Sequence, residues 1–104
     1  MLMTTTEMVP GRNIEVLGLV KGSIVSTKHI GRDIMAGFKT IVGGEIAGYT
    51  ELLNESREKA ISRMQKEAKA LNADAVTCMR FVTCSVMNGA SEVMAYGTAV
   101  KFVQ

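Results

Sequence analysis

The side chains with the most chemistry to offer are two cysteines, one histidine and an unusual number of methionines, 2, 1 and 8 in 104 residues. Cys78 and Cys84 are six residues apart in a stretch with strand character. In a regular strand, they share a face and stand about 20 Å apart. That is too far for one disulfide or one metal shell. They remain weak candidates for a metal only if several copies of the chain bring their thiols together, and otherwise read as small buried hydrophobes. His29 follows Lys28 with no His-x-x-x-His or Cys-x-x-Cys partner, so it reads as a polar loop residue. Thioether sulfur suits Cu(I), but Met64 and Met79 fall on expected core faces, so packing explains them.

Gly43-Gly44, ahead of an expected helix start, could turn backbone N–H groups toward an anion. With Glu45 and Tyr49 they form the weak ligand-site candidate. The Gly-Lys-Ser/Thr ending of a phosphate loop is missing, and Glu45 places negative charge where a phosphate would sit. Cys78 or Ser23 would need a basic partner to act as nucleophile, and the one histidine lies on another element. Asp33, Asp74 and Glu92 are isolated. No enzyme and no cofactor follow from these residues.

Net charge is +2, with 12 basic against 10 acidic residues spread evenly along the chain. Without a basic stripe or aromatic side chains beside basic ones, nucleic-acid recognition is not indicated. No apolar run approaches the roughly 20 residues of a membrane span. The N-terminus lacks a basic, apolar leader pattern, and unpaired cysteines suit a reducing compartment. The expectation is a cytoplasmic protein of one domain, residues 1–104.

The elements that must position these residues follow from periodicity. Leu2–Thr6 is a short strand candidate closed by Pro10-Gly11. Ile14–Thr27 reads as one long bent strand, with Gly18 and Gly22 marking a bulge or a close backbone approach. Ile30, Ile34, Phe38, Ile41 and Val42 recur at helical spacing, and Gly43-Gly44 ends that shorter helix. A long helix is expected from about Glu45 to Leu71, with an apolar stripe of Tyr49, Leu52, Leu53, Ala60, Ile61, Met64, Ala68 and Leu71. Glu55 and Lys59 pair on its outer face, and Asn72 suits the left-handed position after its end.

Ala75–Met87 and Ala90–Val103 form a hairpin around Asn88-Gly89, with a type I′ turn expected. A two-residue loop sets Met87 opposite Ala90, Phe81 opposite Tyr96, Met79 opposite Thr98 and Arg80 opposite Gly97. One face then carries Thr77, Met79, Phe81, Met94, Tyr96, Val100 and Phe102. The other carries Val76, Cys78, Val82, Cys84, Val86, Val93, Ala95, Ala99 and Val103. Both faces are apolar, and one strong helix covers only one of them. The face of small residues, Ala99 among them, is therefore expected to pack on another copy of the chain.

Arg32-Asp33, Ala36-Gly37, Ile41-Val42-Gly43-Gly44, Tyr49, Ala73-Asp74-Ala75-Val76 and Gly97-Thr98-Ala99-Val100 resemble, in order and spacing, the YbjQ-like family. These small bacterial and archaeal proteins of unknown function are labelled "putative heavy-metal-binding". The resemblance implies an α+β, dodecin-like β-α-β-β protomer, its antiparallel sheet packed on one long helix plus a shorter one, assembling into a homopentameric ring. With no enzyme indicated by the residues, the reading is a non-enzymatic protein whose partner is itself. A small ligand held between subunits is the leading reading, and a soft heavy metal held by cysteines from several subunits is the alternative. Many relatives have Arg at the position of Glu45 and Gly at that of Asn72. Cys78 and Cys84 coincide with none of the matched blocks.

Overall fold

A computed structural model describes residues 1–27, 41–42, 45–46 and 49–104. The chain runs β1 (Leu2–Met3), β2 (Asn13–Thr27), β3 (Ile41–Val42), β4 (Glu45–Ile46), α1 (Tyr49–Ala70), β5 (Ala75–Met87) and β6 (Ala90–Val103). The main sheet has the order β1-β5-β6-β2. β6 pairs antiparallel with both β2 and β5, while β1 lies parallel to β5, so the sheet is mixed rather than wholly antiparallel. The fold is α+β, with α1 packed on the β2–β6 half of that sheet.

The expected shorter helix falls outside the described residues except at its end, where Ile41–Val42 is strand. Ile41 pairs with Ile46 and Val42 with Glu45, so the long helix starts at Tyr49 and not at Glu45. β-Branched residues flanking Gly-Gly are a hairpin signal, and here they outweighed a helical period of only a few residues.

α1 needs little explanation from propensity. Its 22 residues contain no Gly or Pro, with Glu51 in the first turn and Lys69 in the last, both favourable to the helix dipole. Glu55 and Lys59 pair at 3.2 Å in solvent, a contribution of roughly 0.3 kcal/mol. The helix ends as expected at Asn72, whose φ is 59°. Asn72 N donates to Lys69 O and Ala73 N to Ala68 O, the paired bonds of a Schellman motif.

The stripe that meets the sheet is narrower than the expected one. Ser56, Ala60, Met64 and Ala68 are buried at a strict four-residue spacing, whereas Leu53 and Leu71 are exposed. The cause lies on β2. A Cβ at Gly22 would run into the backbone of α1 at Ala60, Arg63 and Met64, so the helix rests directly on the strand. Only small residues and one flexible Met fit so close a seam. Gly18, the other expected irregularity, has φ 153° beside a bulge between Val16 and Gly18.

The β5–β6 hairpin forms, with Met87 opposite Ala90. Its turn is not type I′, because Gly89 has φ 84° but Asn88 does not have positive φ. A register shift between Ser85 and Met87 absorbs the mismatch, and a second lies between Thr77 and Arg80. Arg80 therefore faces Tyr96, Phe81 faces Ala95 and Thr77 faces Thr98. An odd number of shifted residues swaps faces, so the segment between the two bulges is inverted relative to the expectation. Val82 and Cys84 turn to the side of Met94 and Glu92, away from the helix. Gly97 explains the second bulge. It lies opposite both Cys78 and Met79, one residue more than the pairing calls for, and a Cβ there would strike Val76 Cγ1 at 2.6 Å and crowd Met79 Cα at 3.3 Å.

This geometry reverses the expected roles of the two faces. Val76, Met79, Val93, Ala95 and Ala99 form the core with Val20, Ala60, Met64 and Ala68. The small-residue face is the one the helix covers, because only small side chains admit so close a helix. On the opposite face Val100 and Thr77 are buried, but the β2 strip is open: Val16, Leu19 and Val25, opposite Val100, Thr98 and Glu92, are 66%, 68% and 51% exposed.

Gly22→Ala should cost about 1–3 kcal/mol by overpacking the seam. That lowers the thermal midpoint by roughly 4–8 °C per kcal/mol. A thermal melt within 2 °C or so of wild type would show that the helix is not seated on Gly22.

Candidate functional site

The residues singled out for chemistry do not converge. Gly43 and Gly44 lie outside the described residues. Glu45 and Tyr49 are described only in their backbone, as part of β4 and as the first residue of α1. His29 and Asp33 also lie outside the described residues. Asp74 holds structure: its Oδ2 accepts from Phe102 N at 2.8 Å, its Oδ1 lies 3.8 Å from Lys101 Nζ, and Lys101 Nζ donates to Asn72 O.

The two cysteines part company. Cys78 is half-buried in the second bulge with φ 55°, a conformation that favours glycine. Its N–H and its Sγ both donate to Thr6 O, at 3.0 and 3.8 Å. Thr4 N donates to Val76 O, Met79 N to Thr4 O, and Arg80 Nη1 to Thr5 O. The bulge thus straps the N-terminal segment along β5. Cys84 is exposed, and its register partner is Glu92. The bulge at Cys78 breaks the alternation on which a shared face for the two thiols rested. Among the described residues no three His, Cys, Asp or Glu side chains stand together where they could hold a metal ion.

Two recesses flank the β2–α1 seam. The smaller, about 80 Å³, is lined by Ile24, Leu52, Ser56 and Lys59 among others. Beside it Ser26 Oγ and Ser56 Oγ lie 2.7 Å apart, and Ser56 Oγ donates to Leu52 O. The larger, about 320 Å³ and wide open, carries Lys21, Ser23, Arg63, Glu67, Glu92 and Met94. Its charges are balanced, and two of them serve the fold. Arg63 Nη1 donates to Ser23 O at 2.6 Å, and Glu67 Oε1 accepts from Lys21 N at 3.3 Å. Neither recess joins a nucleophile to a base. The sequence reading overlooked Arg63 and Glu67, although their four-residue spacing beside the buried Ala60–Met64–Ala68 line already places them together at the helix margin.

A family model described as "Putative heavy-metal-binding", of the YbjQ family, matches residues 1–103. A UPF0145 protein of Shewanella frigidimarina is 57% identical over 102 residues, covering 97% of this chain and 95% of its own length. One from Thermotoga maritima is also 57% identical, covering 97% and 96%. A crystal structure of a protein of unknown function of the DUF74 family from Pediococcus pentosaceus superposes with a TM-score of 0.70. It is 14% identical, over 99% of this chain and 98% of that one, a likeness of fold alone. No helix among the described residues is long and apolar enough to cross a membrane. A match over nearly the whole chain, with relatives above half identity, assigns this protein to the YbjQ family.

Proposed function

We propose that the chain is the protomer of a non-enzymatic, cytoplasmic homo-oligomeric ring that holds a small ligand between its subunits. The open apolar sheet face carries this reading. Val16 and Leu19 on one strand face, with Val25 farther along it beyond Lys21 and Ser23, are each more than half exposed, apolar surface of the kind that marks an interaction site.

Two dimensions of the molecule support the same reading. The Cα radius of gyration is 16.7 Å, in a slab of 55 × 28 × 17 Å. A compact chain of this length has a radius of about 13 Å. The accessible surface is 6950 Å², against about 5,700 Å² for a compact monomer of this mass. The excess is on the order of the area that one subunit buries in a stable assembly. Both recesses are shallow in one protomer, so an enclosed site would need walls from a second. A dodecin-like description suits the long elements, which run β2-α1-β5-β6 in β-α-β-β order; five-fold symmetry rests on the family resemblance.

One observation favours a second reading, a soft-metal site with thiols from several subunits: the paired bulges put Cys84 on the open face beside Glu92. Thiolates select Cu(I) and Zn²⁺, and a symmetry axis would multiply a single thiol.

Two measurements separate these readings. By sedimentation at micromolar concentration the wild type should run as an oligomer and Leu19→Glu as an 11.2 kDa monomer. Ala99→Glu, inside the core, should unfold the chain instead. A monomeric wild type would sink the ring. In equilibrium dialysis, uptake of Zn²⁺ and Cu⁺ should be weak and unchanged by Cys84→Ser. Stoichiometric uptake that the substitution abolishes would replace the ligand reading with the metal one.

A further inference from the structure

The main sheet has two long edges, and the structure treats them differently. β2 has β6 as its only strand neighbour among the described residues. Its free edge is guarded by the helix: Glu67 takes the N–H of Lys21 and Arg63 donates to the carbonyl of Ser23. Two side chains thus stand in for a neighbouring strand, on an edge that already carries the charges of Glu15 and Lys21.

β5 is covered on its first half only. The N-terminal segment bonds to Val76, Cys78 and Met79 and reaches Arg80 through a side-chain bond. Arg80 folds back to Thr5 O and Met79 O. Beyond it, among the described residues, no strand pairs with the outer edge of Phe81–Met87. The segment reads Phe-Val-Thr-Cys-Ser-Val-Met, without a charge, a proline or a glycine. Phe81, Cys84, Val86 and Met87 are all exposed. Proteins protect such edges with lysine, proline, bulges or brevity; here the one such device is the bulge between Ser85 and Met87 beside the turn, and the uncharged stretch before it has the composition that pairs with other chains.

Resting on the ring reading, we infer that the outer edge of Phe81–Met87 accepts a strand from a second copy of the chain, extending the sheet across the subunit boundary. The surface excess favours a second copy, since it is on the order of the area that one subunit buries in a stable assembly. Backbone N–H and C=O groups supply the attraction, and alternate side chains set the register. The partner strand is not the middle of β2, whose groups at Lys21 and Ser23 are already engaged.

Amide hydrogen exchange on the pure, full-length protein tests the inference directly. Successive N–H groups of a strand point to opposite edges, so in a dissociated chain alternate amides of 81–87 exchange freely. In the assembly, all of them should slow, the outward set by roughly 100-fold or more. Free exchange of the outward set in an assembly of confirmed mass would overturn the inference and leave the ring standing on its open face. A monomeric wild type would overturn both. Cys84→Pro and Ser85→Pro give a second test, because one of the two removes only an outward N–H. That variant should keep the far-ultraviolet dichroism of the fold and sediment as a monomer; a folded variant of that kind with the wild-type mass would overturn the inference. If neither variant folds, the exchange pattern decides.

Discussion

The contact of α1 with Gly22 governs the rest of this fold. Where a Cβ would collide with the helix backbone, helix and sheet approach until only Ser56, Ala60, Met64 and Ala68 fit between them. So close a seam gives a slab 17 Å thin in its shortest direction. It also fixes the helix over β2 and β6, so that among the described residues the distal half of β5 has no helix packed on it. One helix in this position buries the small-residue face of the sheet and cannot reach the other. A chain of this length buries only about two-thirds of its surface even when compact, and this one is less compact than that.

The irregularities of β5 are a consequence of small residues elsewhere. Gly97 leaves a gap opposite Cys78 and Met79, and Met79 enters the core through it. Cys78 accepts a left-handed backbone in exchange for a double hold on Thr6. A strained non-glycine residue persists only where its surroundings over-determine it. Here the surroundings are the N-terminal strap itself. At the other end, the turn around Gly89 departs from the primed geometry that suits strand twist, and the shift near Val86 compensates. Between those two points every side chain changes face, and Cys84 moves from the buried side to the open one.

Among the described residues the chemistry is correspondingly sparse. Its polar side chains mainly hold backbone: Asp74 caps the end of β6, Arg63 and Glu67 hold the edge of β2, and Arg80 ties down the N-terminal strap. Arg12 lies 4.7 Å from the centre of the Phe102 ring, a cation–π contact where β2 and β6 end together. With these groups engaged in the fold, the features that stand out among the described residues are surfaces: an apolar strip of the sheet face and half of a strand edge.

The sequence by itself determined whatever depends on local backbone preference. The long strand with two meaningful glycines, the start of the β5–β6 hairpin at Met87 and Ala90, the left-handed Asn72 and the Glu55–Lys59 pair were all legible, because each is decided within a few residues. The Gly-Gly signal between Val42 and Glu45 was legible too, but its short helical period competed with it. Only the tertiary structure decided the register of β5 away from Met87, the face of Cys84, and which side of the sheet the helix takes. A bulge is a compromise between two strands and whatever packs on them, so Gly97 acquires meaning only once Val76 and Met79 lie beside it. The alternation of a strand predicts faces faithfully until one residue is added, and from there to the next added residue it predicts each of them wrongly.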